Sequence, residues 1–259
     1  MSQCKLCLGE KELIKKSHII PDFMYKDLFD NRHKIRAFSP LQRLKGEGFV
    51  KMPSSGEYEG GLLCADCDGK KIGSYEDYAK KAIYGGPLRK SISPICKNFI
   101  DPKGLKFTIC ENIEYRRFKL FILSILWRSS ISKREFFKDI DLGKHEEIIR
   151  RMLIEGDPGR IDDYPISFMT FLNDKKMSND IIAQPRRIEN KDGISSFVFI
   201  ISGMIYRIYI NSEEKNIPKE VIENTLSEKN KMTILQIPEG TGMDFLMRFA
   251  GIDTRKKNH

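Results

Sequence analysis

Apolar residues change their spacing along this chain, and the changes mark out its elements. Ile113–Ser132 is apolar almost all round, interrupted inside Phe118–Trp127 only by Lys119 and Ser124, the pattern of a helix buried in a core. A second helix is predicted over Lys144–Glu155, where Ile148, Ile149, Met152 and Leu153 recur at helical spacing and Gly156 with Pro158 supplies the stop. From about residue 176 the period shortens. Ile181–Ile188, Phe197–Ile201 and Met204–Ile210 are rich in Ile, Val, Phe and Tyr, and Ser202-Gly203 between the last two is a hairpin turn signal. Met232–Ile237 reads as a further strand ending at Pro238, and Met243–Ala250 as a short closing helix. Ile217–Leu226 is a weaker helix candidate with Pro218 in its first turn, and Thr254–His259 a frayed basic tail.

Residues 1–90 follow neither period. They are rich in turns, with Gly60-Gly61 and Gly85-Gly86 among their glycines, and they carry two Cys-x-x-Cys pairs. The expected fold class is α+β: a small N-terminal domain over 1–90 pinned by something other than a large core, then a body over 91–259, helical to about 175 and closed by a small antiparallel sheet.

Composition narrows the function classes. With 40% hydrophobic and 31% charged residues, the 259-residue chain has the material for a packed core and is not disordered. No apolar run approaches the ~18–20 residues of a spanning helix, so no membrane role is expected. Met1-Ser2-Gln3-Cys4-Lys5 carries no basic-then-apolar leader, which makes a reducing cytoplasm the expected compartment. The net charge of +9 points to polyanions, and its placement sharpens that: residues 1–100 hold 18 Lys+Arg against 12 Asp+Glu, and residues 101–259 hold 27 against 24.

The same N-terminal stretch holds four of the six cysteines. Cys4-Lys5-Leu6-Cys7 and Cys64-Ala65-Asp66-Cys67, 56 residues apart, predict a closed and therefore structural Cys4 zinc site. Metal binding there would supply folding free energy that a glycine-rich segment of this size lacks. Cys96 and Cys110 stand outside the pairs in apolar surroundings and are expected as ordinary buried thiols.

Between the knuckles lies Ser17-His18-Ile19-Ile20-Pro21, and the second knuckle arrives within Leu62-Leu63-Cys64-Ala65-Asp66-Cys67-Asp68-Gly69-Lys70-Lys71. A His-Ile-x-Pro step on a strand, followed by Cys-x-x-Cys at a helix start, resembles the HNH (ββα-metal) endonucleases that carry a Cys4 zinc site. The resemblance covers roughly residues 1–80. It implies His18 as general base and Asp68 at the helix position that binds a catalytic Mg²⁺ or Mn²⁺, with DNA as the substrate. Glu76, two helical turns beyond Asp68, would lie on nearly the same face, and Lys70 and Lys71 would hold the phosphate backbone. The residue types suit phosphodiester hydrolysis, which needs a base titrating near neutrality and a hard cation on oxygen ligands.

Three positions depart from the family pattern: Ser17 precedes the base, Gly60-Gly61 stand where the middle Asn is expected, and Asp68 replaces His or Asn. Asn31 or His33 could only substitute for that Asn from another loop. The departures leave a second reading open, a non-catalytic zinc-stabilised module that binds nucleic acid or protein. Downstream, Phe118–Ser130 is similar to a group of uncharacterised bacterial proteins with the same zinc pattern, which brings bacterial defence in by analogy. Arg116, Arg117, Lys119 and Arg128 could line a groove with Trp127 for stacking, but Trp127 in the core is the expected arrangement. His145 reads as part of a helix's first turn.

Overall fold

The computed structural model describes residues 1–28, 35–38, 49–52, 56–177, 181–210 and 217–251. Three short pairs open the chain. Strands β1 (Ser2–Gln3) and β2 (Glu10–Lys11) form a hairpin around the first knuckle, β3 is Ser17–His18, β4 (Ile35–Phe38) and β5 (Phe49–Met52) pair antiparallel, and β6 (Tyr58–Glu59) returns to pair with β3. The second knuckle enters a π-helical turn over Asp66–Ile72 that runs directly into helix α1 (Gly73–Tyr84).

Strands β7 (Ile95–Ile100) and β8 (Lys106–Glu111) follow, then helices α2 (Tyr115–Ile131) and α3 (His145–Glu155) and strand β9 (Ile166–Thr170). The rest comprises β10 (Ile182–Glu189), β11 (Ser195–Ile201), β12 (Met204–Ile210), the short helix α4 (Lys219–Glu223), β13 (Lys231–Gln236) and helix α5 (Gly242–Phe249). Nine strands make one sheet in the order β5-β4-β10-β11-β12-β9-β13-β8-β7. Its pairs are antiparallel except β4 with β10 and β9 with β13. Pro185 lies where the β10–β11 register shifts between Ala183 and Arg186, as expected of a residue with no N–H to give the ladder.

The fold is mixed α+β, and its elements from α2 onward, β9 excepted, lie within a few residues of the predicted ones. The sheet is larger than expected and not purely antiparallel, and the stretch read as helical from 91 to 175 contains β7, β8 and β9. Between β7 and β8, Asp101 accepts bonds at one oxygen from the N–H groups of Lys103 (2.9 Å) and Leu105 (2.7 Å), and Gly104 has φ 82°. This is a side-chain-closed turn of the kind Asp-Pro-Lys-Gly favours.

The hairpin register also corrects the reading of Cys96 and Cys110. They stand directly opposite one another with Cα atoms 4.0 Å apart and are joined as a disulfide, and Cys96 is exposed. The strand register brings the two together across the hairpin, which a helical reading of this stretch does not.

Strand β11 explains how the sheet is covered. All seven of its residues are buried. Phe197, Phe199 and Ile201 enter the main core with α2, while Val198 and Ile200 point to the other face, under Leu246 and Phe249 of α5, as the period of two requires. The main core also contains Cys4, Leu6, Ile19, Leu63, Cys64, Ile72 and Tyr78. Among the described residues no helix is long and apolar enough to cross a membrane.

Helix α2 is buried on every side, as its sequence predicts. Its buried serines are bonded to the helix backbone: Ser124 Oγ to the Phe121 carbonyl and Ser129 Oγ to that of Ile125. Lys119, 1% exposed, donates to Tyr115 Oη (2.8 Å) and the Arg160 carbonyl (2.6 Å). Burial pulls its ammonium down to about 8 despite Asp163 and Glu228 nearby.

Unfolded, the lysine keeps its proton to a pH above 10. Between pH 8 and 10 the unfolded state therefore binds more protons than the folded one, so this group makes stability rise with pH. Above pH 10 the sign reverses, because burial raises Tyr25, Tyr115 and Tyr206, which stay neutral when folded. Denaturant titrations from pH 8 to 10 should show wild type gaining about 1 kcal/mol per pH unit over Lys119→Met. Parallel curves would contradict a desolvated ammonium.

Candidate metal centre and the His18 site

The two knuckles meet through backbone hydrogen bonds. In the first, the Cys4 N–H donates to the Gly9 carbonyl (3.0 Å) and the Leu8 N–H to the Cys4 carbonyl (2.9 Å), with Leu8 in the left-handed region at φ 61°. The second is stitched to it by Lys5 N–H on the Leu62 carbonyl and Ile14 N–H on the Leu63 carbonyl, both 2.9 Å. The Cys64 N–H donates to Cys4 Sγ at 3.3 Å. All four Sγ atoms lie within 4.8 Å of one another, and Cys4, Cys64 and Cys67 are buried.

Four sulfurs at ~2.3 Å from one cation stand ~3.8 Å apart at tetrahedral angles, so the donor set fits a metal such as zinc. Burial first, and then hydrogen bonds from the neighbouring sulfurs, push the Cys67 thiol up. A bound divalent cation reverses that balance, since it ligates the thiolates.

His18 lies on β3, whose Ser17 meets Asp68 of the knuckle helix 51 residues further along the chain. Ser17 is fully buried, and its Oγ donates to Asp68 Oδ1 at 2.5 Å. The two positions where the chain departs from the HNH pattern on either side of the site are thus complementary to each other, hydroxyl to carboxylate. The bond ties β3 to the π-helical turn, a feature that often marks function. The His18 side chain is 28% exposed, with Nε2 3.9 Å from Asp22 Oδ1 and its ring edge-on to Tyr58 at 6.2 Å between centroids.

Arg128, 110 residues from His18 in sequence, completes this framework from α2. It is 1% exposed. Nη1 donates to the His18 carbonyl at 2.6 Å, Nη2 to Glu76 Oε1 at 2.6 Å, and Nε to the Ser124 carbonyl at 3.2 Å. Glu76 is therefore held by a guanidinium. Among the described residues the four cysteines are the one group of three or more His, Cys, Asp or Glu side chains able to share an ion. Asp68 is brought to the His18 strand, Glu76 is brought to Arg128, and the three do not converge as a second ligand group.

The remaining candidates are placed as follows. Lys70, largely exposed, has Nζ 2.7 Å from Asp66 Oδ1, and Lys11 reaches the same carboxylate at 3.2 Å. These two lysines hold the Asp66 carboxyl below its usual range. Lys71 and Arg116 approach Gly156 at the C-terminus of α3, where a methyl group would meet Arg116 Nη2 at 2.9 Å and Lys71 Nζ at 3.3 Å. This is the helix end that favours cations.

Trp127, Lys119 and Arg128 are all in the core, so the groove considered for them does not form. His145 Nδ1 lies 3.0 Å from Tyr164 Oη, and burial lowers its pKa. Asn31, His33 and Thr254–His259 lie outside the described residues.

Sequence reasoning missed Arg128 as a site residue. Its signal was present: an arginine inside the most apolar helix of the chain needs a buried partner. Compared with known proteins, the chain matches no family model, no curated protein and no solved structure.

Proposed function

We propose that the protein is a zinc-stabilised, metal-dependent endonuclease acting on DNA, with Cys4, Cys7, Cys64 and Cys67 on a structural Zn²⁺. The observation that carries this reading is the Ser17–Asp68 bond, which ties the strand that bears a partly exposed histidine to the knuckle helix. In this reading His18 takes a proton from water as its oxygen attacks phosphorus, and the P–O bond to the leaving sugar oxygen breaks. Asp68 offers its second oxygen to Mg²⁺ or Mn²⁺, which would stabilise the charge developing on phosphate. Arg128 positions His18 through its backbone carbonyl.

His18→Ala is expected to reduce nicking of supercoiled plasmid in Mg²⁺ or Mn²⁺ by at least ~100-fold while leaving DNA binding intact. Unchanged nicking would remove His18 from the mechanism. A second reading, a module that binds DNA without cutting it, is favoured by Glu76 being committed to Arg128 and by the four cysteines being the one ligand cluster among the described residues. Wild-type protein that binds but never nicks, with either metal, would select it.

A further inference from the structure

We propose that Lys16, Lys133 and Arg134 form the phosphate-holding face of the His18 site for a DNA strand. This rests on the reading above that the protein binds DNA. Lys16 precedes β3, and Lys133-Arg134 follow α2, so they come from distant parts of the sequence. The β3–β6 pair gathers them. Arg134 Nε donates to the Tyr58 carbonyl at 2.9 Å, and the Lys133 N–H donates to Glu59 Oε2 at 2.9 Å. Lys16 Nζ lies 4.5 Å and Arg134 Cζ 5.4 Å from the centroid of the Tyr58 ring, the same ring that meets the His18 imidazole edge-on.

The charges on this face are largely uncommitted. Lys16 and Lys133 are exposed, with no acidic partner among the described residues. Arg134 has Glu57 at 3.6 Å, its one ion pair among the described residues and near the ~4 Å limit of such contacts, and keeps its guanidinium face over Tyr58. Glu59 is occupied by Ser132 Oγ as well as the Lys133 N–H. By contrast Lys70 is paired with Asp66, and Lys71 faces the end of α3.

Phosphates recur along one strand of a duplex every ~3.4 Å of axis. A strand with one phosphate at His18 and its neighbours over the Tyr58 ring would meet Lys16 and Arg134 there.

The test is the salt dependence of duplex binding by the full chain with zinc, read by fluorescence anisotropy of a labelled oligonucleotide. Each of Lys16→Gln, Lys133→Gln and Arg134→Gln should make the plot of log K against log[salt] shallower by ~0.9. That corresponds to a ~3-fold smaller loss of affinity between 50 and 200 mM salt for each variant. Arg134→Lys should restore the slope, and Lys103→Gln, on the β7–β8 turn, should leave it unchanged. Wild-type slopes in all three neutral variants would overturn the proposal while leaving DNA binding in place. Altered slopes without any nicking would overturn the nuclease and keep the face. No binding by wild type would overturn both.

Discussion

Cys64→Ser is expected to lose the bound metal and with it more stability than any other single change in the chain. Cys64 supplies a buried sulfur, and its own N–H donates to Cys4 Sγ, so the two knuckles depend on each other. Structural zinc contributes on the order of 10 kcal/mol to small metal-dependent folds, against total stabilities of about 5–15 kcal/mol. Because Cys4, Cys64 and Cys67 belong to the same buried cluster as α1 and α2, the loss should not stay local.

Elemental analysis of the wild type should find one zinc per chain, and excess chelator should lower the melting temperature. Cys96→Ser serves as the control, since its sulfur is engaged with Cys110 on the far hairpin, and its zinc content should equal wild type. Full zinc in Cys64→Ser, or a melt indifferent to chelator, would show that the four cysteines hold no structural metal.

The second large effect is expected from Arg128→Met. A buried guanidinium bonded to a carboxylate and two carbonyls cannot be removed without leaving acceptors unmet. Breaking a buried ion pair from one side costs about 3–5 kcal/mol, and the partial exposure of Glu76 places this case at the lower end. Arg128→Lys keeps the charge but not the fork that spans His18 and Glu76, so it should recover only part of the loss. A double-mutant cycle with Glu76→Gln should return a coupling of about 1–3 kcal/mol. Denaturation of Arg128→Met within 1 kcal/mol of wild type would contradict this assignment.

Both expectations join residues that the sequence keeps far apart, and they divide the legible part of the protein from the rest. The helix at Tyr115–Ile131 was legible because its apolar run has only one stable environment, the interior. The hairpin at Ser195–Ile210 was legible because Ser202-Gly203 interrupts two strand-like runs, and both residues adopt positive φ there. The Cys4 site was legible from ligand type and spacing alone.

The β7–β8 hairpin was not. Apart from buried Cys110 its strands are exposed or half-exposed, so no strong alternation marks them, and the only signal was the Asp-Pro-Lys-Gly turn. The cysteine pairing was lost with it, since which thiols meet is a matter of register.

At the His18 site the sequence by itself determined the chemical types: a histidine before an apolar strand step, an acid just beyond a knuckle, and a basic setting. Only the tertiary structure decided their use. It gave Asp68 to Ser17, Glu76 to Arg128, and Lys16 and Arg134 to the Tyr58 ring. The physical reason is that a motif specifies local geometry over a few residues, whereas charge compensation is settled by whichever groups packing brings within hydrogen-bonding distance, and here the partners stand 51 residues apart for Ser17 and Asp68 and 52 apart for Glu76 and Arg128.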